Sequence, residues 1–348
     1  MGNLAWVAVG IGLLVVTAWN LTASTALGEA RRAYTRGDLA ICLQHALDHL
    51  NRQPWSHEGA LLAARCLSRL DYADAAEPYY RRAGALSLDD LQIRAYGLVR
   101  GNHRQRAIQA YEAILARWPD NVTALRRLAA VQFTQNNIPE MLKLADRLIR
   151  VPSGRAIGYT LQGVVYHNDK DHEQAAAALE HVLKLDPELR VMPLPRALFW
   201  SHLADDVAGS GRLDDVVRYL TRALEQDPDA ELVYKLGRTY FLQGAMDQAE
   251  RCYRQAIEWN PKDFRFPLYL GKLEFQRKHF DAALNFLEKA RTLAPEHADV
   301  LHNLSLVYRH LGRTSEADRL QEILNQRRRQ APAHAQRSPQ DPWPPHAL

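Results

Sequence analysis

Small residues recur along this chain at nearly constant spacing: Ala30, Ala64, Ala95, Ala129, Gly163, Ala204, Gly237, Gly271 and Ser305, in steps of 34, 31, 34, 34, 41, 33, 34 and 34 residues. Twelve residues after each stands a second mark: Cys42, Ala76, Ala107, Met141, Ala175, Val216, Ala249, Ala283 and Ala317. Two series locked in one register exclude most folds built around a single closed core. They predict an array of helical units, each burying its apolar face against the next. Length alone would favour two or more domains; the period predicts one elongated array instead.

Each recurring residue type has a physical task. Small residues in both series let the two antiparallel helices of a unit approach closely, and larger apolar neighbours fill the grooves between units. Pro54, Pro119, Pro187, Pro228, Pro261 and Pro295 close second helices, since proline cannot continue a helix and biases its predecessor out of one. Turns such as Leu242-Gln243-Gly244 and His310-Leu311-Gly312 join the helices within a unit. At 47% hydrophobic residues, the chain has enough apolar surface to fill such a core. The 41-residue step holds an insertion, Arg190 to Arg196, whose Pro193 and Pro195 predict a stiff, non-helical loop between the fifth and sixth units.

Three units carry the fullest pattern. One has Tyr159, Gly163, Tyr166, Ala175, Leu179 and Pro187; another has Val233, Leu236-Gly237, Tyr240, Ala249, Tyr253 and Pro261; a third has Leu270-Gly271, Ala283, Leu287 and Pro295. Over roughly residues 23–330 the chain resembles the tetratricopeptide repeat family. The resemblance implies an all-α, right-handed superhelical solenoid of about nine helix-turn-helix repeats. Their expected spans are 23–56, 57–87, 88–121, 122–155, 156–189, 197–229, 230–263, 264–297 and 298–326.

The two ends differ from the array. Residues 1–28 contain no charged side chain, and Leu4 to Leu21 is predominantly apolar, about the length of a membrane-spanning helix. Trp6 and Trp19 stand about 20 Å apart on such a helix, as an interfacial aromatic pair would. The reading is an uncleaved transmembrane anchor over 1–22. A cleavable signal peptide ending near Ser24-Thr25-Ala26 is the alternative, although it would lack the usual basic start. Arg31, Arg32 and Arg36 after the span place the array on the cytoplasmic side by the positive-inside rule, against a periplasmic or otherwise extracytoplasmic location. Residues 327–348, rich in Pro, Gln and His, read as a disordered tail. With four Arg against one Asp, the tail supplies three of the formal +4 charges. The array is therefore near neutral and has no basic footprint for nucleic acid.

No catalytic constellation is found. Cys42, Cys66 and Cys252 are widely separated and fall at packing positions, as small buried hydrophobes do. The stretch from His167 to His172 falls in an intra-unit turn, where polar residues are expected without any metal. No serine sits in a nucleophile elbow, and Phe266 replaces the first glycine of a phosphate loop before Gly271-Lys272. The expectation is a binding protein with no cofactor, metal or enzymatic activity.

In the family, the first helices of successive units line a concave groove. The matching positions here hold Tyr234, Arg238, Phe241, Arg265, Leu268, Lys272, Phe275, His302 and Arg309, and earlier Arg65, Tyr96, Arg126, Phe133 and His167. Tyr234, Arg238, Phe241, Arg265, Lys272, Phe275, His302 and Arg309 are the candidate site, a basic and aromatic stripe suited to an acidic peptide or helix of a protein partner. The plain alternative is a solvated face whose aromatics pack sideways. The chaperone-tail clamp of some relatives is not matched, because Ser201, Asp205, Tyr234 and Arg238 stand at its positions. The resemblance extends to bitopic, bacterial-type repeat proteins that scaffold membrane-complex or envelope assembly. An exported factor aiding secretion or maturation of another protein is the alternative.

Overall fold

The computed structural model describes residues 25–191 and 193–330. The expected anchor, Met192 of the insertion and the chain beyond 330 lie outside the described residues. No described helix is long and apolar enough to cross a membrane.

The described residues are all-α, without a strand. Helix α1 covers 25–36 and pairs in sequence with α2 (Leu39–Arg52). There follow α3 (His57–Arg69) and α4 (Ala73–Ala83), α5 (Leu88–Arg100) and α6 (Arg104–Arg117), then α7 (Val122–Thr134) and α8 (Ile138–Arg150). After a 3-10 turn, Pro152–Gly154, come α9 (Arg155–Asn168) and α10 (His172–Leu185), then α11 (Arg196–Gly209) and α12 (Leu213–Gln226). The remaining pairs are α13 (Ala230–Leu242) and α14 (Met246–Trp259), α15 (Arg265–Gln276) and α16 (Phe280–Leu293), and α17 (Ala298–His310) and α18 (Thr314–Gln330).

The chain divides into two compact units, one ending at Gly158 and the other beginning at Tyr159, so the division falls inside α9. In each, the recurring small residues form the centre of the packing. Ala30, Ala64, Ala95 and Ala129 are fully buried in unit 1, as are Ala249, Ala283 and Ala317 in unit 2. Gly271 shows why size matters there, because a Cβ on it would lie 2.6 Å from Leu287 Cγ on the partner helix. Contact that tight requires the Leu287 side chain or α16 itself to shift.

Helix ends follow local chemistry. Ser56, Ser87, Asn121 and Asp229 each accept a backbone N–H from the first turn of α3, α5, α7 and α13. The six closing prolines stand just past α2, α6, α10, α12, α14 and α16. Each intra-pair turn contains one residue with positive φ: Gly37, Asp71, Asn102, Asn136, Lys170, Gly211, Gly244, Lys278 or Gly312. Glycine is the unstrained choice at such a position, yet five of these turns use another residue. The turn geometry is thus imposed by the packing of the helix pair.

The described residues of the insertion are non-helical up to Pro195, while Arg196 already opens α11. It is tied down: Asp186 accepts the Val191 N–H at 2.8 Å, and Leu189 and Leu194 are buried. At the other end, α18 runs to Gln330, past the expected boundary at 326, because Arg327 donates to the Glu296 carbonyl at 2.6 Å.

Candidate functional site

On unit 2, α13 and α15 bring one tyrosine to the centre of the predicted stripe. Tyr269 lies edge-on to Tyr234 at 5.4 Å and to Phe241 at 6.3 Å. Two cations share its ring: Lys272 Nζ lies 4.7 Å from the centroid and the Arg238 guanidinium 5.9 Å. The helical spacing of Tyr269 and Lys272 explains the first contact, since residues three apart face the same side. Arg238 is exposed, while Phe241, Tyr269 and Lys272 are half-buried.

Charges around this ring are unevenly matched. Arg265 donates to Asp263, at 2.6 Å for the shortest contact, and to Glu231, also at 2.6 Å. Hydrogen bonds to Asp263 and then Glu231 hold its pKa above the usual arginine value, so it stays charged, and that charge is already matched by two carboxylates. Lys235 is spent on Asp205 at 2.5 Å. Arg277 contacts Asp247, Glu250 and Glu274. Arg238 and Lys272, by contrast, have no carboxylate partner among the described residues. An exposed cation–π contact is worth about 0.5–1 kcal/mol, which orders each cation while leaving its hydrogen-bonding capacity unused.

The structure therefore divides the predicted set. Arg238, Phe241 and Lys272 converge on Tyr269. Tyr234 is buried among Tyr253, Phe266 and Tyr269 and forms part of the wall behind them. Burial raises the pKa of both Tyr234 and Tyr253, so each keeps its proton. Leu268 is buried in the core. Phe275 packs between Phe280 and His310, a second aromatic cluster. His302 is exposed on α17, and exposed Arg309 pairs with Asp318 at 3.7 Å. Tyr269 was absent from the predicted stripe because its place in the repeat is not a groove position. Its spacing from Lys272 and Arg265 on one helix was the available signal.

A second polar cluster departs more strongly from expectation. His167 and His172 do not merely occupy a solvated turn, for both aim Nδ1 at Asp206 on α11, at 3.0 and 2.9 Å. Asp206 is fully buried. Gly209 makes room for His172, whose ring would lie 2.4 Å from any Cβ at that position. His167 stacks on His202 at 4.1 Å. A cavity of about 550 Å³ lies beside His172, lined also by Glu173, Glu180, Ser210 and Arg212. Glu180 is occupied there by Arg212 and Tyr219. No group of three or more His, Cys, Asp or Glu among the described residues is arranged to hold a metal ion. The three cysteines are buried and unpaired by disulfide.

Comparison with known proteins follows the same periodicity. Profiles described as tetratricopeptide repeat match residues 94–155, 156–189, 208–266, 247–298 and 297–324. The chain is similar to Protein CTR9 homolog of Arabidopsis thaliana, 24% identical over 70% of this chain and 26% of that protein. It is also similar to Tetratricopeptide repeat protein 13 of Homo sapiens, 27% identical over 49% of this chain and 19% of that protein. It thus spans about a quarter or less of the length of these curated relatives. Among solved structures, YrrB, described as a TPR protein with an unusual peptide-binding site, aligns at a TM-score of 0.49 and 19% identity. That alignment covers 56% of this chain and 97% of YrrB.

Proposed function

Because the chain belongs to the tetratricopeptide repeat family, we propose that it is a protein-binding adaptor, not an enzyme, whose Tyr269 face takes an acidic segment of a partner protein. One observation carries this reading: Arg238 and Lys272 are held over one tyrosine ring without a carboxylate, while neighbouring Arg265, Lys235 and Arg277 each have one. A carboxylate arriving at the pair forms charge-assisted hydrogen bonds, worth about 1.5–3 kcal/mol each. Phe241 and Tyr269 supply apolar surface beside it. His302 and Arg309 are taken as the outer part of the same stripe.

The uncharged, apolar segment Leu4–Leu21 supports a membrane-anchored placement, and Arg31, Arg32 and Arg36 support a cytoplasmic array. In this reading the adaptor serves assembly of a membrane or envelope complex.

The test is crosslinking and mass spectrometry from native membranes. It compares the intact protein with Arg238→Glu/Lys272→Glu and with Arg309→Glu. A partner crosslinked through an acidic segment should be lost from the double variant and weakened less by Arg309→Glu, whose side chain already pairs with Asp318. An unchanged partner set in the double variant, at equal helicity and abundance, would remove the Tyr269 face from recognition.

A further inference from the structure

We infer that Cys42 of α2 and Cys66 of α3 form a dithiol site in unit 1, which a peroxide oxidises to a disulfide that fastens the first helix pair to the second. The inference is independent of the Tyr269 face, which lies on unit 2.

Helix register brings the two thiols together. Where α2 and α3 approach, a Cβ on Gly59 would lie 2.7 Å from His49 Cδ2. Cys66 stands seven residues after Gly59 on α3, and Cys42 seven residues before His49 on α2. Seven residues are about two helical turns, so in antiparallel helices the same seam that joins His49 to Gly59 joins Cys42 to Cys66. Ala46 and Ala63, both fully buried, line the seam between these points. Small residues there keep the backbones close, as a disulfide with its Cα atoms about 5.5–6 Å apart requires. The sulfurs meet: Cys66 donates its S–H to Cys42. Packing alone does not call for this pair, since the equivalent positions of other seams hold Ala76 with Gly97, Ala107 with Val131 and Ala283 with Val307.

The shared hydrogen bond divides the roles. It holds the Cys42 thiol below its ordinary pKa against the opposing effect of burial, and the same bond, then burial, raises Cys66. Cys42 is therefore the nucleophile and Cys66 the resolving thiol. The Cys42 thiolate attacks a peroxide, forming an S–O bond as the O–O bond breaks, and the departing oxygen takes a proton to leave as water or an alcohol. Cys66 then attacks the Cys42 sulfenic acid; the S–S bond forms, the S–O bond breaks, and the hydroxyl leaves with the Cys66 proton as water. The two sulfurs together lose two electrons and the peroxide gains them. Both thiols are fully buried, beneath Ala30 and Ala33 of α1, so the peroxide enters when this pair opens. The α1–α2 pair is the first of the described array and stacks on one described repeat, whereas inner pairs stack on two, which makes it the readier to open.

The test treats the folded, reduced full chain with hydrogen peroxide, followed by intact mass and non-reducing peptide maps. A Cys42–Cys66 linkage should form with the loss of two hydrogens, and dithiothreitol should reverse it. Cys66→Ala should abolish the linkage and leave a sulfenic acid on Cys42 that dimedone traps. Cys42→Ala should also abolish it while keeping the fold, because alanine is the residue of this register position at Ala76 and Ala107. Cys252→Ala should retain it, since burial pushes the Cys252 thiol up to about 11. Closing the loop between the two cysteines should slow amide exchange through separation of α2 and α3 about 100-fold, with α15 to α18 unchanged. Arg238→Glu/Lys272→Glu should form the linkage as the parent does, so failure here and failure of the Tyr269 face are told apart. No linkage at a peroxide excess that oxidises free cysteine, linkage only in denaturant, or linked protein with unchanged exchange in α2 and α3 overturns the site.

Discussion

A buried imidazole sets the pH response at the scale of single residues. Burial, with a smaller contribution from His167, pushes His202 down to about 3 from an ordinary value of 6.5, and its Nδ1 has no hydrogen-bond partner. The unfolded chain therefore binds a proton at His202 between these pH values while the folded chain does not. Stability from this group is complete above pH 6.5 and is lost on acidification, at roughly 1 kcal/mol per pH unit, until about pH 3. His202→Gln removes this titration. Between pH 7 and pH 5 its stability to urea should fall less than the parent's, by about 1–2 kcal/mol. Equal falls in the two proteins would show that His202 is not held neutral.

Helices in successive repeats are tied by a recurring strut. Arg82 on α4 donates to the Pro54 carbonyl, Arg147 on α8 to that of Pro119 at 2.9 Å, and Arg222 on α12 to that of Pro187 at 2.7 Å. Each arginine of a second helix thus bonds the loop that ends the preceding repeat. The first two spans are 28 residues and the third is 35, longer by the length of the Arg190–Arg196 insertion. The insertion therefore loops out without breaking the strut. The proline carbonyl is a good acceptor here because the helix has ended and its lone pairs face outward. Arg147→Ala should destabilise by about 1 kcal/mol, as expected for a half-solvated, charge-assisted bond. Arg147→Lys should recover part of it in chemical denaturation. A neutral effect of Arg147→Ala would reduce the strut to a surface contact.

At the scale of the whole molecule, stability is carried by local stacking within each unit. Leu125 is fully buried on α7, so Leu125→Ala should cost about 2–5 kcal/mol. Because a repeat interacts chiefly with its neighbours, amide exchange should accelerate in α6, α7 and α8 and stay unchanged in α15 to α18; uniform acceleration would contradict nearest-neighbour stacking. The repeat itself was legible in the chain because Ala30, Gly271 and their counterparts must be small wherever two helix backbones touch. The closing prolines were legible for an equally local reason, the missing N–H and fixed φ. The positive-φ turns were legible only where glycine marks them; Lys170 and Lys278 adopt the same backbone because their helix pairs demand it. The candidate site was half legible. Periodicity put Arg238, Phe241 and Lys272 on one stripe, but Tyr269 at its centre and the burial of Tyr234 depend on how α13 meets α15. Asp206 likewise gathers His167 and His172 from 34 to 39 residues away. Sequence by itself determined the repeating unit, since period and residue size are properties of one helix pair. Only tertiary structure decided which charges are matched and which remain available, because a cation's partner is set by distance across repeats and by exclusion of water, neither of which is written in its local neighbours.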